Sequence, residues 1–315
     1  MQIDRHLAHA QSEAGAPLVF VHIPKTAGTT LNAIIAHRYA SGEIHEIMMR
    51  GMSLIVSGEM TRARPLVSRS KLRRLQAALE RGLRVINGHF DMSLAPLLPA
   101  GAQYVTIVRD PIDRAVSHYY HYRRLTTDPV HPLALRSTLT QWVGASGLAE
   151  MDNGQTRRLA GEMGLPVGAV SSHTLDRAKA NLAQRFAVVG LTERFEEFQV
   201  LLHRKFNWPY LRYPTRNVGN KRPARTEMSA EALRVIEKCN RYDLELYRFA
   251  AELFGQATGK VDMKRELSLL RAAPEYVAPD RSPSAHSAAA ATHPLSKLNF
   301  GYLLTQLIAP RSASE

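Results

Sequence analysis

Residues 19–30 read Val-Phe-Val-His-Ile-Pro-Lys-Thr-Ala-Gly-Thr-Thr, and no other stretch restricts the fold as much. A β-branched run enters a turn bearing Lys25, and an apolar-periodic helix follows from about 29 to 39, with Leu31, Ile34 and Ile35 on one face. A strand, tight turn and helix of this kind make an anion seat. The first N–H groups of a helix have no intrahelical partner and its dipole is positive there. Lys25 adds a full charge, Gly28 permits close backbone approach, and Thr29 and Thr30 offer hydroxyl donors. The Walker A motif needs its lysine directly after the second glycine; here Lys25 precedes Gly28, which argues against a P-loop kinase or NTPase.

Further strands are expected over 18–23, 84–87, 103–108 and 186–189, alternating with helical patterns over 70–81, 135–143, 172–184, 192–205, 229–238 and 240–254. The alternation implies an α/β fold with a central parallel sheet and right-handed crossovers. Asp110 is placed to cap a helix that starts with Pro111 and carries Ile112, Val116, Tyr119 and Tyr120 on its apolar face. A chain of 315 residues with 45% hydrophobic content forms one large core, so the reading is an N-terminal extension over 1–16, a main domain over 17–258, and a C-terminal part over 259–315. That last part comprises a helix, a linker rich in Ala, Pro and Ser, and a short apolar segment over 298–308, too short to span a bilayer.

The net charge of +13 calls for anionic partners. A single cysteine, Cys239, excludes an intrachain disulfide and a cysteine zinc site. The basic run of Arg62, Arg64, Arg69, Lys71, Arg73 and Arg74 lacks interleaved aromatics and reads as a solvated helix face, so no nucleic-acid partner is expected. No metal site is expected either. Residues 1–16 lack the apolar core of a signal peptide and no run is long enough for a transmembrane segment, which points to a cytoplasmic protein, at most peripheral at the inner membrane face.

A second segment, Tyr104-Val105-Thr106-Ile107-Val108-Arg109-Asp110-Pro111 running on to Ser117, joins the first in carrying a likeness. Together they resemble the sulfotransferases that use 3′-phosphoadenosine 5′-phosphosulfate (PAPS), and most of all the group of heparan sulfate 2-O-sulfotransferase and its bacterial relatives. The likeness extends from about 17 to 254 through Ile86-Asn87-Gly88-His89-Phe90, Val188-Val189-Gly190-Leu191 and Leu246-Tyr247-Arg248-Phe249. It implies the three-layer α/β/α sulfotransferase fold and transfer of a sulfuryl group to a hydroxyl of a carbohydrate, polysaccharide or glycolipid, with PAP as product and no metal. Golgi members carry an N-terminal anchor, so its absence here suggests a bacterial enzyme; a homo-oligomer is left open.

By the same resemblance Lys25, Thr26, Ala27, Gly28, Thr29 and Thr30 line the 5′-phosphosulfate site, Lys25 stabilising the leaving phosphate, while Arg109 and Ser117 hold the 3′-phosphate. Arginine suits bidentate phosphate recognition, although a strand-end ion pair to Asp110 or Asp113 would also account for Arg109; Arg114 and Arg123 are auxiliary donors. A hydroxyl acceptor needs a base, and the matching Gly-His carries it: His89, with Asp91 and Glu46 as substitutes and His22 shaping the cradle. Lys221 and Arg222 match a basic loop that closes over the nucleotide, and Asn153, Gln155 and Arg157 match a segment on the acceptor side, which also reads as a polar helix cap.

Overall fold

The computed structural model describes residues 16–48, 75, 77–213 and 225–276. Five parallel strands make one sheet: β1 (Leu18–Val21), β2 (Ile44–Met48), β3 (Val85–His89), β4 (Gln103–Val108) and β5 (Phe186–Leu191), in the order β2-β3-β1-β4-β5. β1 is buried along its whole length. Its alternate side chains enter two different cores, which is why it reads as a continuous apolar run. Leu18 and Phe20 pack with Ile34, Ile35 and Phe254 on one face, and Val19 and Val21 with Ile86, Phe90 and Tyr104 on the other. The sheet is therefore the middle of three layers.

The register sets Val21 opposite Gly88 of β3 and Thr106 of β4. The hydroxyl of Thr106, fully buried, donates to the Val21 carbonyl at 2.9 Å and ties β4 to the end of β1. Because all strands run the same way, the residues following β1, β3 and β4 share one edge of the sheet. β1 is also the switch point: β3 flanks it on one side and β4 on the other, and open α/β sheets bind ligands in the crevice at such a point.

Among the described residues lie the helices α1 (Gly28–Arg38), α2 (Pro111–Tyr122), α3 (His131–Arg136), α4 (Leu139–Gly144), α5 (Gly154–Ala160), α6 (Ser172–Arg185), α7 (Phe195–Phe206), α8 (Ala230–Cys239), α9 (Arg241–Thr258) and α10 (Met263–Ala272). Asp110 caps α2, accepting from the N–H of Ile112 at 2.9 Å and of Asp113 at 3.1 Å, with Pro111 in the first turn. α2, α4 and α8 share a third core around Ile112, Val116, Trp142 and Ile236.

Three elements differ from expectation. β2 was not foreseen, because Ile44-His45-Glu46-Ile47-Met48 is an edge strand with one wet face; Glu46 is exposed while Ile47 is buried. The helix expected over 135–143 is two helices, since Thr138 and Gln141 form a capping box that starts α4 anew. α5, only seven residues long, is too short for its period to be read. α10 lies against α7, where Arg204 pairs with Glu266 at 2.9 Å and Leu270 is buried. Of the helix expected over 70–81, residues 77–80 are helical; the basic run 62–74 and the apolar segment 298–308 lie outside the described residues.

Candidate active site

At the edge beyond β1 the backbone turns through two left-handed residues that are not glycine, Lys25 (φ 71°) and Ala27 (φ 66°). Each costs on the order of 1 kcal/mol or more, and such strain persists only where surrounding structure fixes it. The Thr26 hydroxyl, fully buried, donates back to the Ile23 carbonyl at 2.9 Å and locks the turn. Ala27 then opens α1, which has no side-chain cap and no acidic residue in its first turn. Thr29 is exposed and Thr30 buried, so the hydroxyls of the run face different ways. The Thr26 hydroxyl is committed to the turn.

Gly28 also has a packing role. A Cβ there would sit 1.9 Å from Nε2 of His22, so the glycine makes room for the His22 ring across the start of α1. That ring is stacked on Phe20 at 5.1 Å and meets His89 at a centroid distance of 4.1 Å.

His89 closes β3 after Gly88, whose φ of 137° and missing side chain are both required; a Cβ would lie 2.1 Å from the Ile47 carbonyl oxygen of β2. Nδ1 of His89 lies 3.1 Å from the backbone oxygen of His22. A carbonyl only accepts, so Nδ1 carries the proton and donates, and Nε2 of the neutral ring is left with its lone pair. Burial lowers the basicity of His89, Arg158 lowers it further, and the bond to His22 opposes the trend. His22 is held well below the ordinary histidine value by burial first and by His89 second. Both rings are neutral near pH 7.

Asp91 and Glu46 are not placed as bases. The carboxylate of Asp91, fully buried, accepts from the Ser93 N–H and hydroxyl and from the Met163 N–H, capping the 3-10 turn that follows β3. Glu46 stands mid-strand on β2, opposite Asn87.

Across β1, Arg109 follows β4. Its backbone is gripped at both polar atoms by one side chain: Arg109 N–H donates to Gln155 Oε1 at 3.0 Å, and Gln155 Nε2 donates to the Arg109 carbonyl at 2.9 Å. Nη1 of Arg109 donates to the Lys25 carbonyl at 3.2 Å, which brings the two basic residues together. Nε of Arg109 is buried and has no hydrogen-bond partner among the described residues. Ser117 is buried on α2, two turns along from the cap. Arg225 comes to 3.8 Å from Asp110. Lys221 and Arg222 lie outside the described residues.

The 153–157 segment is a structural hub. Asn153 accepts from the N–H groups of Tyr242 and Asp243 at the start of α9, and Asp243 in return accepts from the N–H groups of Gln155 (3.1 Å) and Thr156 (2.7 Å) at the start of α5. Two helix N-termini thus cap each other. Arg157, fully buried, donates to Asp152 and to the carbonyls of Leu165 and Pro166. This geometry gives Asn153, Gln155 and Arg157 supporting places, the polar-cap alternative; their match to an acceptor segment rests on resemblance alone. The auxiliary arginines are also tied inward. Arg123 donates to the Tyr119 hydroxyl and the Ala134 carbonyl, and Arg114 belongs to a buried ionic group missed in the sequence.

That group is Arg114–Glu150–Arg158. Both arginines donate to the Glu150 carboxylate, one to each oxygen. Arg114 also reaches the Pro24 carbonyl at 3.2 Å, and Arg158 the Phe90 carbonyl at 3.1 Å. Burial alone would raise Glu150, but Arg158 and Arg114 outweigh it and bring it to about 2. Sequence offers little signal for it: Glu150 lies in a single turn and Arg158 in a short helix of mixed polarity. Among the described residues no cluster of three or more His, Cys, Asp or Glu is disposed to hold a metal, and no helix is long and apolar enough to cross a membrane.

With the site's geometry in view, residues 6–281 match the model of the galactose-3-O-sulfotransferase family. Human heparan-sulfate 6-O-sulfotransferase 1 is 30% identical over 203 residues, 56% of this chain and 48% of that protein. The zebrafish heparan-sulfate 6-O-sulfotransferase 2 is 33% identical over 181 residues, 49% of this chain and 38% of that protein. The chain spans about half the length, or less, of the curated relatives it matches. These relatives are 6-O enzymes, so the 2-O subgroup rests on motif resemblance alone. Among solved structures, mouse sulfotransferase SULT7A1 complexed with PAP aligns with a TM-score of 0.31 at 17% identity, covering 80% of this chain and 88% of that one.

Proposed function

The chain belongs to the galactose-3-O-sulfotransferase family, and on that premise we propose that it moves a sulfuryl group from PAPS to a hydroxyl of a carbohydrate acceptor. The observation that carries the reading is the hydrogen bond from His89 Nδ1 to the His22 carbonyl. It leaves Nε2 free to take a proton at the same sheet edge as the Lys25 turn, and an alcohol is a poor nucleophile until such a base takes its proton.

The residues present fit an anionic nucleotide. The uncapped start of α1 and the exposed Thr29 receive one phosphate group, with Lys25 supplying the charge that stabilises it. Arg109 has an Nε without a partner among the described residues and a backbone gripped by Gln155, so its guanidinium is pre-positioned and still has donor capacity for a second phosphate. PAPS, when bound, supplies the activated sulfuryl group and a phosphate leaving group. The chain's part is to hold one phosphate at the Lys25 turn after β1 and a second at Arg109 after the neighbouring β4, stabilise negative charge at Lys25, and accept the acceptor's proton at His89 Nε2. The net charge of +13 suits an acidic glycan, and the 6-O relatives favour a polysaccharide over a small sugar.

Calorimetry with PAP and ADP, followed by transfer of radiolabelled sulfate from PAPS to a panel of glycans, tests the reading. PAP is expected to bind about tenfold or more tightly than ADP, the difference disappearing in Arg109→Ala, because a charge-assisted phosphate contact is worth ~1.5–3 kcal/mol. His89→Ala is expected to keep PAP affinity and lose about 100-fold or more in turnover. Magnesium-dependent ATP turnover without PAP binding would overturn the proposal.

A further inference from the structure

We propose that Glu150 and Arg158 are positioning residues for His89: they form a buried ionic bridge that holds the end of β3 against the Lys25 turn and sets the charge the imidazole faces. The proposal deepens the sulfotransferase reading and rests on it for its catalytic meaning. The bridge can be followed bond by bond. Arg158 Nη1 donates to the carbonyl of Phe90, the residue after His89. Its Nη2 donates to one oxygen of Glu150, and Arg114 Nη2 donates to the other. Arg114 Nη1 also donates to the Glu150 carbonyl at 2.9 Å, and its Nε to the carbonyl of Pro24, the residue before Lys25. The base strand and the cradle are thus joined through three ionised side chains.

All three are shut off from water, with relative exposures of 1% for Arg114, 4% for Glu150 and 2% for Arg158. Ions so buried are stable only with near-complete hydrogen bonding, and a well-packed apolar core is often as good for stability alone. Two details argue for more than a structural filler. Gly154 is bare where a Cβ would approach Arg114 Nη2 to 3.0 Å and Glu150 Oε2 to 3.1 Å, so the start of α5 is shaped around the bridge. Nε of Arg158 is buried without a hydrogen-bond partner among the described residues, leaving its charge incompletely compensated.

Four groups act on His89: Arg158 from α5, Glu150 from the turn before it, Lys25 from the cradle, and His22 through its carbonyl and ring. Arg158 is the largest charge effect among them. Burial first, and the Arg158 cation after it, keep His89 unprotonated and its Nε2 available as a base, while the Glu150 anion opposes them. Removing the cation and removing the anion must therefore move its titration in opposite directions, which loss of packing alone cannot do.

Neither readout needs an acceptor. Histidine-labelled, full-length apoprotein is titrated by NMR, the His89 ring signals being assigned by their absence in His89→Asn, and PAP affinity is measured alongside by calorimetry. Arg158→Met is expected to raise the His89 midpoint by about one pH unit and Glu150→Gln to lower it by about one. Arg158→Lys, which keeps the charge, returns the midpoint to within about 0.3 unit of the parent. PAP affinity in Arg158→Met stays within about threefold, since Arg158 is shut off from the surface and its bonds go to Phe90 and Glu150. Should Glu150→Gln not fold, the Met and Lys variants at 158 decide the matter by their difference. Shifts of the same sign, or a His89 midpoint unmoved by Arg158→Met, overturn the proposal. Failure of the parent protein to bind PAP would instead sink the sulfotransferase reading and leave the titration result standing.

Discussion

Replacing Gly28 by alanine tests how the cradle and the base pocket are joined. The new methyl carbon would lie 1.9 Å from His22 Nε2 and 2.1 Å from its Cδ2, about 1.5 Å or more inside normal contact. The imidazole cannot yield in place, because it is stacked on Phe20 at 5.1 Å and against His89 at 4.1 Å, and only 8% of His22 is exposed. Either the ring swings out, losing ring contacts worth ~0.5–1.5 kcal/mol each, or α1 shifts, an overpacking cost of ~1–3 kcal/mol. Because Gly28 is the first residue of α1, the helix-interior propensity of alanine offsets little of this. The net destabilisation is about 1–3 kcal/mol, or roughly 2–12 °C in Tm for a domain of this size. Because Gly28 is also the first residue of α1, PAP affinity should fall with it. Thermal melting and PAP calorimetry are run on Gly28→Ala, His22→Ala and the double variant. With the ring gone, the glycine substitution should be nearly neutral, a coupling of about 1–3 kcal/mol. A melting shift below about 1 °C for Gly28→Ala, or strict additivity in the double variant, would refute the reasoning.

Gln155→Ala should lower stability by ~1–3 kcal/mol, since it strips partners from both the N–H and the carbonyl of Arg109, and should weaken PAP binding without altering ADP binding as much; urea titration and calorimetry check both. Acid should weaken the fold well before its carboxylates titrate. His22 and His89 are held below the ordinary histidine value, and His118, buried and accepting from Trp142, is brought down to about 3. The unfolded chain binds protons near pH 6.5 that the folded rings refuse, so stability drops as pH falls below that value, by up to ~1.4 kcal/mol per pH unit for each such ring, and His118 stops contributing only near pH 3. Glu150 has the same sign in a lower window, its contribution fading from about 4.5 to about 2 as its carboxylate is protonated. A flat urea-unfolding free energy between pH 7 and 5 would contradict this account.

Much of this molecule was written locally. The run from Val19 to Thr30 determined a buried strand, a lysine turn and a helix, because strand propensity, turn chemistry and helical period all act over a few residues. The same holds for Asp110 and Pro111 at the start of α2, and for Gly88-His89 at the end of β3. From those pieces the sequence determined a parallel sheet with Lys25, His89 and Arg109 at one edge.

The tertiary structure decided what those residues touch. Gly28 was read as permitting close backbone approach, and only packing shows that it also makes room for the His22 ring. The proton on His89 is fixed by the carbonyl of a residue 67 positions away, and Arg109 is gripped by a glutamine 46 positions on. β2 stayed hidden because half of an edge strand faces water, and the two arginines joined at Glu150 stayed hidden because nothing in their sequence neighbourhood marks them for burial. Short-range propensities specify elements and their order, whereas the pairing of buried polar groups depends on which distant atoms the closed fold brings within about 3 Å, where an unpaired donor or charge is too costly to leave.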